Sequence, residues 1–182
     1  MGRLILVLGG ARSGKSRFAE RLAAAHKDVI YLATGQVTDE EMAERIAHHR
    51  ATRPAHWRTA EEGLHPAAAL REAMAAGPAN AVLLDCVSFL LANHLFQGEE
   101  RFEERARVAL TELIDLCRRQ GITLIAVSNE VGMGLVPEHT LGRLFRDAQG
   151  RLNQLLAREA DAAHACIAGI AVDLKQIGQV IE

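Results

Sequence analysis

No charge of one sign dominates this sequence. Its 21 lysines and arginines nearly balance 23 aspartates and glutamates, the formal net charge is −2, and no long basic run occurs. That argues against a dedicated nucleic-acid binder, whose footprint is a basic patch or stripe. Cysteine is rare. Cys86, Cys117 and Cys166 are odd in number and widely spaced, so they make no metal-ligand pattern and fit a reducing cytoplasm. No apolar run approaches membrane-spanning length, and a core strand begins within four residues of Met1, which leaves no room for a signal peptide. Internal repeats, linkers and low-complexity segments are lacking, and residues 1–182 are expected to form one domain with a sizeable core. Aromatic residues are only 4% of the chain, against 49% hydrophobic residues overall and plentiful alanine. Such a core suits helices packed closely on a sheet.

Against these absences, residues 4–17, LILVLGGARSGKSR, stand out. They hold Gly9-x-x-x-x-Gly14-Lys15-Ser16 between an apolar run of strand length, Leu4 to Leu8, and a helical pattern from Ser16. Strand, loop and helix form the setting that this phosphate-binding pattern requires. Backbone N–H groups must wrap round phosphate oxygens, and Gly9, Gly10 and Gly14 permit the close approach and unusual dihedrals. The helix N-terminus adds the positive end of its dipole. Lys15 is expected to reach the β- and γ-phosphates, and the Ser16 hydroxyl to ligate Mg²⁺. Arg12 either contacts a phosphate or faces water. A chance match, or a loop that lost its nucleotide, is the alternative; the placed strand and helix weigh against it.

Further along, Asp28 to Gly35 reads as a second buried strand with Ala33-Thr34-Gly35 turning at its carboxyl end, where ligands gather in open α/β sheets. Thr34 is a nucleotide contact or an ordinary turn residue. Thr38 with Glu41 forms a capping box, predicting a helix to about Arg50. Met42, Ile46 and His49 share one face of it, and His48 points roughly 120° away. A projecting histidine is usually solvated surface. Pro54 ends the helix; Trp57 is read as a packing residue rather than a stacking platform, with Arg58, Thr59 and Glu61 in extended chain. A short helix, His65 to Ala76, precedes the strand Ala81 to Asp85, an apolar run ending in an acid. That is the form in which an aspartate holds the Mg²⁺ shell. Val87 to Phe96 and Glu99 to Gln120 read as helices, and Ile122 to Val127 as a strand with Ser128-Asn129-Glu130 at its carboxyl end. A glycine-rich apolar loop follows, then a helix predicted from Thr140 to Ala163, and one or two closing strands over Ala165 to Leu174. Alternating strands and helices imply a mostly parallel sheet flanked by helices, an α/β fold like that of P-loop NTPases of the RecA-like kind.

The segments GGARSGKSRFAE, YLATGQVTDEEMAERIAHHRATRPAHWRTAEE and SNEVGMGLVPEHTLGRLFRDAQGRLNQ closely resemble the bifunctional adenosylcobinamide kinase / adenosylcobinamide-phosphate guanylyltransferases of cobalamin biosynthesis. The likeness covers nearly the whole chain. It implies a cytoplasmic enzyme that phosphorylates the aminopropanol hydroxyl of adenosylcobinamide with ATP or GTP, then transfers GMP from GTP onto that phosphate through a GMP-histidine intermediate. By position in the motif, the histidine is His48. Nucleotide contacts are implied at Gly9, Gly10, Ala11, Arg12, Ser13, Gly14, Lys15 and Ser16, at Ala33, Thr34 and Gly35, at His49, Arg50, Ala51 and Thr52, and at Glu61 and Asp85. Ser16 and Asp85 are the implied Mg²⁺ ligands, a corrinoid is the acceptor, and a homotrimer the assembly. Glu44, one turn before His48, either orients its imidazole or is plain surface. Gly35 stands where relatives often carry a larger residue, Asp85 replaces a glutamate of some relatives, and DLKQIGQVIE runs past their usual ending. The competing functions are a P-loop kinase of another small hydroxylated metabolite and a nucleotide-dependent regulatory protein.

Overall fold

The computed structural model describes residues 2–36 and 53–181. Strands β1 (Leu4–Gly9), β2 (Val29–Ala33), β3 (Arg58–Glu61), β4 (Ala81–Asp85), β5 (Thr123–Asn129), β6 (Ala162–Ile167) and β7 (Ile170–Asp173) join in one sheet. Their order is β3-β2-β4-β5-β1-β6-β7. All neighbours are parallel except β6 and β7, which form an antiparallel hairpin. The continuous apolar runs of β1, β2, β4 and β5 are what a parallel sheet covered on both faces demands.

One face is covered by α1 (Lys15–Ala23), whose Ala19 and Ala23 are buried against Val7, Tyr31, Leu83, Ile125 and Val127. Small residues on the contact side let the helix sit close, which is how a core short of aromatics closes. The other face is covered by α2 (Pro66–Ala75), α3 (Val87–Phe96), α4 (Phe102–Gln120) and α5 (Thr140–Glu159), which bury Leu70, Leu90, Leu113 and Leu152 over Leu6, Leu32, Leu84 and Leu124. A single turn, α6 (Leu174–Ile177), follows β7. No helix among the described residues is long and apolar enough to cross a membrane.

One predicted boundary moves across an element. The helix expected to run to Ala163 ends at Glu159, and residues 162–167 are β6. An alanine-rich run has no period of its own, so the edge of β1 decides: Ile5 to Gly9 pair with Ala162 to Cys166. Asp161 fixes the switch, its carboxylate accepting from the Leu4 N–H at 2.8 Å and its own N–H donating to the Leu4 carbonyl at 2.8 Å. The expected extended chain after Trp57 is edge strand β3. Its Arg58 guanidinium donates to the carbonyls of Ala73 at 2.6 Å and Gly77 at 3.0 Å, and to Pro78, satisfying the open end of α2. The helix predicted over 38–50 lies outside the described residues.

Candidate nucleotide site at the carboxyl rim

The loop from Gly9 to Ser16 links β1 to α1 as its sequence pattern requires. Gly14 takes a left-handed φ of 94° at the helix entrance, and the exposed Arg12 is left-handed as well, at 58°. Gly9 is fixed by space. A Cβ there would lie 2.4 Å from Ser13 Oγ and 2.7 Å from the Cys166 carbonyl oxygen. The Ser13 hydroxyl packed into that gap is buried and unpartnered among the described residues. The loop is braced from outside on both flanks: Glu130 N–H donates to the Gly9 carbonyl at 3.1 Å, and Gly169 N–H, at the tip of the β6–β7 hairpin, donates to the Ser13 carbonyl at 3.0 Å. Lys15 Nζ donates to the Gly10 carbonyl at 3.2 Å. Burial, reinforced by Asp85, pushes the Cys86 thiol up to about 12, and burial raises Cys166; Lys15 partly opposes both shifts.

Asp85 ends β4 in one row with its register partners Ala33 and Val127. The Tyr31 hydroxyl donates to Asp85 Oδ2. Tyr31 is 1% exposed; burial, and then the carboxylate beside it, push its pKa upward, so the phenol stays a proton donor. The Arg53 guanidinium lies 3.5 Å above the centre of the Tyr31 ring, a cation–π contact that caps the pair. The Thr34 hydroxyl is fully buried. It donates to the Cys86 carbonyl and accepts from the Cys86 N–H, both at 2.7 Å, so it ties the ends of β2 and β4 together. Glu61 ends β3 opposite Ala33 and lines, with Arg53, Pro54, Trp57 and Thr59, a cleft of about 500 Å³. Trp57 is 7% exposed and belongs to the core under α1, as the packing reading expects.

Structure thus brings together at one end of the sheet the loop residues 9–16, residues 33–35, Glu61 and Asp85. His48, His49, Arg50, Ala51, Thr52 and Glu44 lie outside the described residues. Ser16 and Asp85 offer one hydroxyl and one carboxylate, and no cluster of three or more His, Cys, Asp or Glu side chains among the described residues could hold a metal alone. That donor set fits Mg²⁺, which keeps waters and phosphate oxygens in its octahedral shell instead of using an all-protein cage. Tyr31 and Arg53 are the residues sequence reasoning missed. Tyr31 reads as one apolar residue in a buried strand; its only signal is being the sole tyrosine, on the same strand face as Ala33.

The family described as cobinamide kinase / cobinamide phosphate guanyltransferase matches residues 5–174. A bifunctional adenosylcobalamin biosynthesis protein, CobU, from Salmonella typhimurium is 45% identical, the alignment covering 94% of this chain and 99% of that protein. The Escherichia coli CobU is 44% identical with the same coverage. A protein of the same description, CobP, from Pseudomonas aeruginosa is 46% identical over 93% of this chain and 96% of its own length.

Proposed function

We propose, because the chain belongs to the cobinamide kinase / cobinamide phosphate guanyltransferase family, that it carries out both reactions at this one rim. In the first, the aminopropanol hydroxyl of adenosylcobinamide attacks the γ-phosphorus of ATP or GTP, and the nucleoside diphosphate leaves. In the second, a ring nitrogen of His48 attacks the α-phosphorus of GTP. The bond to pyrophosphate breaks, leaving GMP on the imidazole. The phosphate of adenosylcobinamide phosphate then displaces the histidine, giving adenosylcobinamide-GDP and restoring the neutral ring.

The observation that carries this reading is a convergence. The phosphate loop, Asp85 and both flanks of residues 37–52 meet at the carboxyl rim: Gln36 follows the end of β2, and Arg53 covers the Tyr31 that holds Asp85. His48 precedes Arg53 by five residues in the chain, and the reading assigns it to this rim. Lys15, the loop amides and the N-terminus of α1 stabilise the charge that grows on the departing phosphates. A neutral imidazole is a suitable nucleophile near neutral pH. Ser16 and Asp85, together with phosphate oxygens, would hold Mg²⁺, which would neutralise charge on the leaving group. Tyr31 orients the Asp85 carboxylate. A homotrimer and a cytoplasmic location belong to the same reading.

Incubation with GTP labelled at the α-phosphorus tests it. The expected product is an acid-labile, alkali-stable protein adduct that His48→Ala abolishes. A folded wild-type protein that phosphorylates cobinamide but never forms the adduct would reduce the function to a kinase.

A further inference from the structure

Asn129 ends β5, and neither reaction above uses it. It pairs in register with Gly9 of β1. Since β5 lies between β1 and β4, Asn129 stands between the phosphate loop and the strand that ends in Asp85. Alternation along β5 fixes the side it faces. Leu124 and Ala126 pack under the helices of the far face, and Ser128 bonds to α5. Ile125 and Val127 pack beneath α1 with Tyr31, the partner of Asp85. Asn129 is the next residue on that side, and so shares a face with Asp85 and with the helix that Lys15 and Ser16 begin.

Its backbone is gripped from both directions. Its N–H donates to Ser88 Oγ at 3.1 Å, and its carbonyl accepts from Asn153 Nδ2 at 3.0 Å. Asn153 is held in turn: its Oδ1 accepts from Ser128 Oγ at 2.6 Å and Gln149 Nε2 at 3.0 Å, and Gln149 Nε2 also donates to Ser128 Oγ at 2.9 Å. Ser88, Ser128, Gln149 and Asn153 are all buried. Burying that many polar side chains has a desolvation cost, and the network's output is the placement of one strand end. The neighbouring Glu130 N–H donates to the Gly9 carbonyl, tying this strand end to the start of the loop. Yet the side-chain amide of Asn129 makes no hydrogen bond of its own among the described residues. A rigidly placed donor at a strand's carboxyl end, beside a phosphate cradle, is built for a ligand.

We propose that Asn129 is an unassigned binding residue: its Nδ2–H donates to a γ-phosphate oxygen of the bound triphosphate and strengthens as that group is transferred. The loop amides hold phosphates from the Gly9 side, and Asn129 reads the third phosphate from the β5 side. This rests on the nucleotide reading of the loop.

Calorimetric titration with ADP and with a non-hydrolysable ATP analogue tests it, using wild type, Asn129→Ala and the isosteric Asn129→Asp. A hydrogen bond to a charged group predicts about 10- to 100-fold weaker binding of the triphosphate analogue in Asn129→Ala. ADP affinity is unchanged, and Asn129→Asp loses more because its carboxylate repels the phosphate. Phosphorylation of cobinamide falls in parallel. An unaltered ratio of the two affinities, or equal weakening of both, would overturn the inference and leave Asn129 as a brace. A wild type that binds neither nucleotide would sink the nucleotide reading instead.

Discussion

The phosphate loop and the end of β5 brace one another, yet they are built in opposite ways. Gly9 to Ser16 are contiguous, and what they do follows from short-range geometry: glycines that accept special dihedrals, a lysine and a serine at the start of a helix. The end of β5 is fixed by Ser88 from α3 and by Gln149 and Asn153 from α5, with Ser88 more than sixty positions from the other two along the chain. The loop's chemistry is local and its rigidity is borrowed. At the end of β5 both the chemistry and the rigidity are tertiary. A binding loop that must let ligand in and out is open to water; a buried network of several hydrogen bonds in low dielectric is the stiffer part.

Substitutions can break that contrast. Lys15→Ala should have the largest effect, lowering both cobinamide phosphorylation and GMP-adduct formation by on the order of 10²–10³, with urea denaturation unchanged. A parallel fall in stability would mean that the loop is not self-contained. Asn153→Leu should do the reverse and destabilise by on the order of 3 kcal/mol in a urea titration, because Ser128, Gln149 and the Asn129 carbonyl all lose a buried partner. A neutral outcome would show that water replaces the amide. Gly9→Ala sharpens the boundary between the two regions. Its Cβ would meet backbone of β6 as well as Ser13, so about 1–3 kcal/mol of stability should go, although the residue belongs to a local motif.

The smallest effect is a pH dependence on α3, the helix that also carries Ser88. His94 is 3% exposed, and its burial lowers its pKa; nearby Leu64 backbone offsets this only in part, and Arg105 and His65 add to the lowering. Below the ordinary histidine value of about 6.5 the unfolded chain takes up a proton that the native state resists. Stability should therefore fall as pH drops through that value, with a slope from this group of at most about 1.4 kcal/mol per pH unit. In His94→Leu the denaturation free energy should change less between neutral and mildly acidic buffer. An equal slope in both proteins would assign the effect elsewhere.

Much of the rim was legible in one dimension. The apolar runs at Leu4, Val29 and Ala81 mark parallel strands, and Asp85 is visible as an acid closing one of them. What escaped has a common cause. Tyr31 looks like part of an apolar run because its partner, Asp85, is distant in sequence and adjacent only across β2 and β4. Gln149 and Asn153 look like polar interruptions beside the Leu152 and Leu156 stripe of α5, although Gln149 is fully buried. The helix predicted to Ala163 ends earlier: the alanines at 160, 162 and 163 favour a helix locally, but pairing with the free edge of β1 draws residues 162 and 163 into the sheet.

The sequence by itself determined that a strand, a glycine loop and a helix would form a phosphate cradle, since backbone sterics and hydrogen-bonding groups within a few residues suffice for that. It also carried the family, through motifs extending over nearly the whole chain. Tertiary structure alone decided which side chains stand around the cradle. The sheet order places β5 between β1 and β4, and so sets Asn129 beside Gly9 and on the same face as Asp85. Strand order depends on how helices cover both faces of a sheet, and no local pattern encodes it.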